Sequence, residues 1–238
     1  MNGSNNQDFR NIPAIWPDIQ GQLVLDVGCG VGLYTQELAH RGALAVGVDL
    51  NGNYLRQAKS SGCRAHFVRA DAGHLPFRAN TFGMAVSVEV LSHINPEIRR
   101  EVLADICRVM APGGTAFYTL HNRRRLTLSR WMRLRRARQV YHTNHLDVWP
   151  SVPADAQVMV GEVGMVVASS PHYLNYHSRF TYGFFVGFPK SARLLIAVED
   201  LLSGFPFLRQ LAITFLLSAI KPMVAVGDTA NNNNLLRT

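Results

Sequence analysis

An acid followed by three alternating glycines is the part of this sequence best suited to chemistry. Residues 23–35 read LVLDVGCGVGLYT, in which an apolar run reaches Asp26 and then meets Gly28, Gly30 and Gly32. Glycine lets the backbone adopt positive φ and lets a ligand approach closely, and a helix directly behind the glycines would offer its first unpaired N–H groups. We therefore predict a strand, a ligand-binding turn and a helix, in this order.

The glycine spacing argues against a dinucleotide as the ligand. The dinucleotide fingerprint is GxGxxG, whereas Leu33 stands where that pattern requires its last glycine. Asp26 lies two residues before the first glycine, and a carboxylate there suits an ammonium better than a pyrophosphate because like charges repel. From the residues alone, the alternative is a glycine-rich turn without a ligand.

Three further apolar runs also lead to acidic residues. ALAVGV precedes Asp49, AHFVRA precedes Asp71, and residues 82–88 precede Glu89. When such runs alternate with helices, the parallel strands end at one edge of a sheet, where ligands of open α/β folds bind. A single acid after a strand is more often a helix cap or turn residue than a ligand, but this ordered series favours one shared site.

The string DVGCGVG resembles motif I of the class I S-adenosylmethionine-dependent methyltransferases, and the later segments keep the order of that family. RADAGHLPF resembles the motif whose acid meets the adenine amino group, and VEVLSHI resembles the exit of strand four. The resemblance covers residues 20–121 and implies S-adenosylmethionine as cofactor and S-adenosylhomocysteine as product. The strand-four exit is similar to that of small-molecule enzymes, including the ubiquinone and menaquinone biosynthesis methyltransferases.

The resemblance also implies which residues hold the cofactor. Asp49 would accept both ribose hydroxyls, Leu50 and Asn51 would flank the adenine, and Glu89 would meet the methionine end. The complete predicted cofactor-binding set is Asp26, Gly28, Cys29, Gly30, Gly32, Asp49, Leu50, Asn51, Asp71, Ala72 and Glu89.

Three residues are candidates for a catalytic role. A sulfonium makes its methyl group electrophilic, so the protein mainly has to align a nucleophile and exclude water; a base helps only if the nucleophile must lose a proton. His93 is expected closest to the methyl group because VLSHI resembles the family's VLEHI. His121 and Tyr118, near the end of strand five, are the other candidates. A histidine that only shapes the site is the alternative for His93.

The predicted fold is α/β: a Rossmann-like, doubly wound and mostly parallel seven-stranded sheet with an antiparallel last strand, plus helical cap or insertion segments. A single domain over residues 1–238 would contain a cofactor-binding core at 20–121. A basic insertion would follow at 122–150, and a hydrophobic helical cap or insertion at 172–220.

The last third of the chain is rich in aromatic and aliphatic side chains. Helical spacing within residues 194–202 and again within 208–216 predicts two short helices. The resemblance implies strand six at 165–168 and strand seven at 222–226. An aromatic-walled cap would suit an apolar acceptor such as a prenylated ring, a fatty chain or a polyketide, and plain core packing is the alternative.

Basic charge is concentrated in residues 123–138. The chain has 24 Lys and Arg against 16 Asp and Glu, and this segment alone holds eight arginines and no acid. Leucines, Trp131 and Met132 alternate with the arginines, which predicts a basic amphipathic helix. Three interpretations remain: a helix on an anionic membrane, a nucleic-acid surface, or a cap whose arginines face water.

The sequence as a whole predicts methyl transfer to a small, apolar or lipid-like acceptor, with O-, N- and C-methylation all open. Nucleic acid is a less favoured partner for two reasons. Enzymes that methylate the exocyclic amines of bases carry Asn/Asp-Pro-Pro-aromatic after strand four, where this sequence has Val-Glu-Val-Leu, and the Pro-Cys nucleophile needed for methylation at cytosine C5 is absent. An RNA-associated methyltransferase and a cofactor-binding protein that transfers no methyl group are the alternatives. Natural-product, quinone or lipid biosynthesis is the expected setting.

The cysteines and the first residues of the chain indicate the cellular compartment in which we expect the protein. The three cysteines lie apart without ligand spacing, so neither a disulfide nor a metal site is predicted. The polar start MNGSNNQDF has no apolar leader. The expected location is the cytoplasm, with a peripheral position on the inner membrane surface if the arginine segment binds lipid.

Overall fold

A computed structural model describes residues 15–122, 141–143, 146–169, 172–174 and 214–223 of this chain. In chain order the described elements are β1 (Leu23–Val27), α1 (Leu33–His40), β2 (Leu44–Asp49), α2 (Gly52–Ser60), β3 (His66–Arg69), β4 (Phe82–Ser87), a 3₁₀ turn (Leu91–His93), α3 (Pro96–Val109), β5 (Met110–His121), β6 (Tyr141–Thr143), β7 (Leu146–Val148), α4 (Pro153–Glu162), β8 (Val166–Val167), β9 (His172–Leu174) and β10 (Thr214–Ile220). From β1 to β3, strands and helices alternate as the sequence predicts.

One large sheet positions the candidate site. Its strand order is β3-β2-β1-β4-β5-β10-β8, and β9 also pairs with β10. Strands β1 to β5 are parallel, whereas β10 is antiparallel to β5 and to β8. This confirms the predicted Rossmann-like, mostly parallel sheet. The chain reverses its direction of winding beside β1, and open α/β sheets bind ligands at the carboxyl ends of strands at such a point.

The packing of the central strand β1 explains its continuous apolar sequence. Val24 packs with Leu38 and Phe117 on one face of the sheet, while Leu25 packs with Leu103 on the other. Successive side chains of a strand point to opposite faces, so a strand covered on both faces has a continuous apolar run. Both faces of β1 are closed to solvent, and only its carboxyl end is available to a ligand.

The last strand of the sheet differs from the prediction. Strand seven is β10, Thr214–Ile220, and not residues 222–226. The helix predicted over 208–216 is wrong at residues 214–216, which belong to this strand and pair with β5, while residues 208–213 lie outside the described residues. Six of the seven β10 residues are buried, and a fully buried strand cannot be told from a buried helix by periodicity alone.

The structure describes only part of the helical cap that the sequence predicts. Within the predicted helical cap at 172–220, the described residues form β9 and β10, and both are strands. The rest of that cap and the predicted basic helix at 123–138 lie outside the described residues. Among the helices that the structure describes, none combines the length and apolar composition needed to cross a bilayer.

Candidate functional site

The glycine loop lies between β1 and α1 and is tied to the end of β2. The N–H groups of Gly28 and Cys29 both donate to the carbonyl oxygen of Val48, at 2.7 and 2.9 Å. The N–H of Gly30 donates to Oδ2 of Asp49 at 2.9 Å. All three glycines of the loop have φ between 55° and 80°. The predicted turn is therefore present, and a side chain of the next strand fastens it.

The three glycines differ in the space that a Cβ atom would find at each position. A Cβ at Gly28 would lie 2.2 Å from Cγ2 of Val90, and one at Gly32 would lie 2.8 Å from the ring of Phe67. Packing alone excludes side chains there. A Cβ at Gly30 would meet no described atom within 4 Å. Gly30 thus faces open space above the loop, which is the cradle that a ligand lying against the backbone requires.

Asp49 organises the end of β2. Its Oδ1 accepts a hydrogen bond from the N–H of Asn51 at 2.7 Å, while Oδ2 accepts that of Gly30. Each carboxylate oxygen has two lone pairs, so each can still accept a ribose hydroxyl. Asn51 caps α2 by accepting the N–H of Asn53 at 2.9 Å, and Leu50 is 63% exposed. These residues fit a ribose beside an adenine.

The end of β3 lies next to Asp49. The N–H of Ala70 donates to the carbonyl oxygen of Asp49 at 3.3 Å. Asp71 is exposed, and its Oδ1 accepts the N–H of Gly73 at 2.9 Å, while Ala72 packs against the core. Asp71 therefore stands at the neighbouring strand end, where the sequence places it. Its contact with adenine stays a prediction.

Asp26 lies buried below the loop. Its side chain accepts a hydrogen bond from the hydroxyl of Thr35 at 2.6 Å, and the residue is 2% exposed. Burial raises the pKa of the Asp26 carboxyl to about 7, against the hydrogen bonds from Thr35, which lower it. Sequence reasoning missed Thr35, which lies on the first turn of α1. A cationic group close to this carboxylate would favour its ionised form.

Burial also determines the state of Cys29. The space beside Gly47 is filled by the sulfur of Cys29 and the hydroxyl of Thr35. Burial, together with the negative charges of Asp26 and Asp49, raises the pKa of the Cys29 thiol. Since the thiolate is the nucleophile, Cys29 contributes its backbone and its packing to the loop rather than nucleophilic chemistry.

We expect Asp26 to make the cofactor-free protein less stable as the pH rises from about 4 to about 7. The folded protein keeps the Asp26 proton up to about pH 7, whereas the unfolded chain releases it near pH 3.8. The free energy of unfolding should therefore fall by up to about 1.4 kcal/mol per pH unit in this window. Urea unfolding of the wild type and of Asp26→Asn at several pH values measures the difference, which should grow with pH. Identical pH profiles would contradict the assignment.

The ends of β4 and β5 bring three further residues together. Oε2 of Glu89 and Nε2 of His121 are 2.7 Å apart, and the ring centroids of His93 and His121 are 6.2 Å apart. One donor atom from each of the three side chains lies within 4.8 Å of the other two. We call these residues the Glu-His-His cluster. The sequence pointed to each of them separately, with different roles.

The backbone holds Glu89 in an unusual conformation. Its φ is 60°, in the left-handed region that costs a residue other than glycine about 1–2 kcal/mol. The N–H of Glu89 donates to the hydroxyl of Thr119 at 2.7 Å, and Ser92 Oγ accepts the N–H of His121 at 2.7 Å. Such strain concentrates at functional sites. Thr119 was missed, although its two-residue spacing from His121 on a strand places both on one face.

Val90 connects the cluster to the glycine loop, because it follows Glu89 and fills the space above Gly28. Tyr118, in contrast, lies on the opposite face of β5. It is 1% exposed, and its hydroxyl donates to the sulfur of Met165 at 3.4 Å. Burial raises its pKa. The structure therefore brings His93 and His121 together but does not bring Tyr118 to them.

A buried arginine supports the chain beside His121. Arg99, on α3, donates to Oγ of Ser151 at 2.8 Å and to the carbonyl oxygens of Ile94 and Trp149. The N–H of Ser151 in turn donates to the carbonyl oxygen of His121 at 2.9 Å. Burial lowers the pKa of Arg99 to about 10, so it stays charged near neutral pH. Nothing in the sequence pattern marked this arginine.

The strand order, the glycine loop after β1 and the acid after β2 are together typical of a Rossmann-like domain, which binds its ligand at this edge of the sheet. Residues 24–114 match the family model described as a methyltransferase domain. This match agrees with the resemblance of the sequence motifs to the class I S-adenosylmethionine-dependent methyltransferases.

Three curated relatives illustrate the similarity. Fatty-acid O-methyltransferase of Mycolicibacterium smegmatis is 38% identical over 122 residues, covering 49% of this chain and 43% of the relative. Ubiquinone biosynthesis O-methyltransferase of Azoarcus sp. is 33% identical over 111 residues, covering 44% and 46%. Probable tRNA methyltransferase 9B of Homo sapiens is 32% identical over 108 residues, covering 42% and 23%. Each match spans less than half of the relative.

Similarity to solved structures extends further along the chain. A SAM-dependent methyltransferase from Methanosarcina mazei superimposes with a TM-score of 0.65 at 16% identity, covering 91% of this chain and 99% of that one. At this identity the similarity concerns the fold alone. It agrees with the strand order described above.

Proposed function

We propose that this protein transfers the methyl group of S-adenosylmethionine to a small, apolar or lipid-like acceptor. The observation that carries the proposal is the hydrogen bond from Gly30 to Asp49 beneath open space. Asp49 would hold the ribose, Leu50 and Asn51 would flank the adenine, and Asp26 would attract the ammonium of the methionine end.

The chain's own residues then have to position an acceptor and exclude water. The cofactor supplies an electrophilic methyl group when it is bound. Alignment of the reacting atoms and exclusion of water both raise the rate of such a reaction. His93 and His121 of the Glu-His-His cluster would contact the acceptor, because Val90 places the cluster directly beside the glycine loop. Glu89 would meet the methionine end of the cofactor.

The apolar character of the acceptor rests on two kinds of support. Residues 180–220 are rich in aromatic and aliphatic side chains. Two of the relatives have names that refer to fatty-acid O-methylation and to ubiquinone biosynthesis. The name of a third refers to tRNA, so an RNA-associated enzyme is the second candidate. A cofactor-binding protein that transfers no methyl group is the other alternative.

Methyl-labelled S-adenosylmethionine tests the proposal directly. The purified chain is incubated with a long-chain fatty acid, a hydroquinone or tRNA, and both labelled product and S-adenosylhomocysteine are measured. We expect label in an apolar acceptor. Label in tRNA alone would replace the proposal with the RNA-associated alternative, and cofactor binding without transfer in any arm would favour the non-transferring protein.

We further propose that residues 123–138 hold the enzyme on an anionic membrane surface in the cytoplasm. Eight arginines without an acid would each gain about 1 kcal/mol near anionic lipid. Co-sedimentation with phosphatidylserine vesicles should exceed that with phosphatidylcholine vesicles and should fall when the eight arginines are replaced by glutamine. Equal sedimentation with both vesicle types would contradict this role.

A further inference from the structure

We propose that Glu89, His93 and His121 bind a divalent transition-metal ion. Two imidazole nitrogens and a carboxylate oxygen are ligands that Zn²⁺, Co²⁺, Fe²⁺ and Mn²⁺ accept. Around an ion with bonds of about 2.1 Å, ligand atoms lie about 3.0–3.4 Å apart. Here Glu89 and His121 are 2.7 Å apart, and all three donor atoms lie within 4.8 Å of one another. Small side-chain rotations would close the site.

The fold prepares this arrangement from three separate elements. Glu89 follows β4, His93 ends the 3₁₀ turn and His121 ends β5. The positive φ of Glu89 turns its side chain toward β5, where the Thr119 hydroxyl lies 3.5 Å from Oε1. Hydrogen-bonded neighbours that orient metal ligands in this way raise metal affinity, often tenfold or more.

A pair of histidine and acid on the surface provides a comparison for the cluster. Nε2 of His74 lies 3.5 Å from Oε1 of Glu101, with side chains 76% and 57% exposed. Within the part of the chain that the structure describes, only the Glu-His-His cluster adds a third ligand. The Glu89 and His121 side chains are 26% and 17% exposed. They are therefore partly desolvated yet still reachable by an ion.

Three protein ligands leave coordination positions open, as in catalytic rather than structural metal sites. This inference rests on the proposed function for its chemical role and names the acceptor as a hydroxyl compound. The ion would lower the pKa of the bound hydroxyl, whose proton passes to water as the O–H bond breaks. An oxygen lone pair then forms the new O–C bond while the C–S bond breaks, and its electron pair stays on sulfur.

Metal binding would replace one interaction that the structure shows. Oε2 of Glu89 and Nε2 of His121 lie 2.7 Å apart, within hydrogen-bonding distance. A metal ion bound between them would take the imidazole nitrogen lone pair and the carboxylate oxygen as ligands instead.

Titration with Co²⁺ tests the site, because its visible absorption reports nitrogen ligation without any enzyme assay. The untagged full chain is stripped with a chelator and titrated with Co²⁺, and Zn²⁺ binding is followed by calorimetry. We expect one equivalent to bind, with affinity at least about tenfold weaker in Glu89→Gln, His93→Ala and His121→Ala. His74→Ala is the matched control and should bind as the wild type does.

Several outcomes would overturn the inference. They are the absence of stoichiometric binding, unchanged affinity in His93→Ala, or an equal loss in His74→Ala. His93 is half-buried at the end of the 3₁₀ turn, and His93→Ala provides an independent test if His121→Ala does not fold. S-adenosylhomocysteine binding is measured on the same samples. In the wild type, cofactor binding without metal binding rejects this site, whereas metal binding without cofactor binding rejects the proposed function.

Discussion

Replacing Asp49 with alanine should weaken S-adenosylhomocysteine binding by at least about 100-fold, which is about 2.7 kcal/mol. Two hydrogen bonds from ribose hydroxyls to a carboxylate contribute about 1.5–3 kcal/mol each. The same substitution also removes the acceptor of two hydrogen bonds, which the N–H groups of Gly30 and Asn51 donate to Asp49 at 2.9 and 2.7 Å. The loop would therefore lose its shape as well as its ligand.

Isothermal titration calorimetry measures this effect, and Asp18→Ala is the matched control. Asp18 accepts the N–H of Gln20 at 3.1 Å, two residues on, as Asp49 does with Asn51. Asp18 lies before β1, away from the carboxyl ends of the strands. The control should bind as the wild type does. Affinity of Asp49→Ala within a few-fold of the wild type would remove Asp49 from the cofactor site.

Replacing Gly30 with alanine should weaken cofactor binding strongly while costing only about 1–2 kcal/mol in folding stability. The new methyl group would stand in the open space above the loop and meet no described protein atom within 4 Å. Its clash would be with the ligand. The stability cost arises only from the left-handed backbone, where φ is 55°.

Two other glycines make this prediction specific. Gly21 also has a positive φ of 71° and open space around its missing Cβ, but it lies in the turn before β1. Gly21→Ala should lose similar stability and keep full affinity. Gly28→Ala should be the most destabilised of the three, because its Cβ would lie 2.2 Å from Val90. If Gly30→Ala binds the cofactor normally, the space above Gly30 is not the cofactor site.

The parts of the fold that the sequence predicted are those with local signals. The apolar run of β1, the glycines behind it and the acid after β2 lie within one strand-turn-helix unit or at its neighbour's end. β10 lacked such a signal, because its buried apolar run satisfies helical spacing equally well. Only its pairing with β5 decides between strand and helix, and pairing is a property of the folded chain.

The Glu-His-His cluster shows the same limit for the site. His93 follows Glu89 by four residues, but His121 comes from another strand. The register that pairs Ser87 with Tyr118 is what carries Glu89 to Thr119 and His121. Register depends on packing across the whole sheet and is not written in the spacing of ligands. The spacing of possible ligands along the chain therefore predicts no metal site.

The contact between Val90 and Gly28 bears on how this protein can be redesigned. The Val90 side chain fills the space over the glycine loop, while the residue before it, Glu89, belongs to the Glu-His-His cluster. A substitution at position 90 would disturb both halves of the site at once. Substitutions meant to broaden the range of accepted molecules should instead be made at residues 149–151, which lie beside the end of β5. Arg99 holds this segment through hydrogen bonds to the carbonyl oxygen of Trp149 and to Oγ of Ser151, and these bonds do not involve Val90.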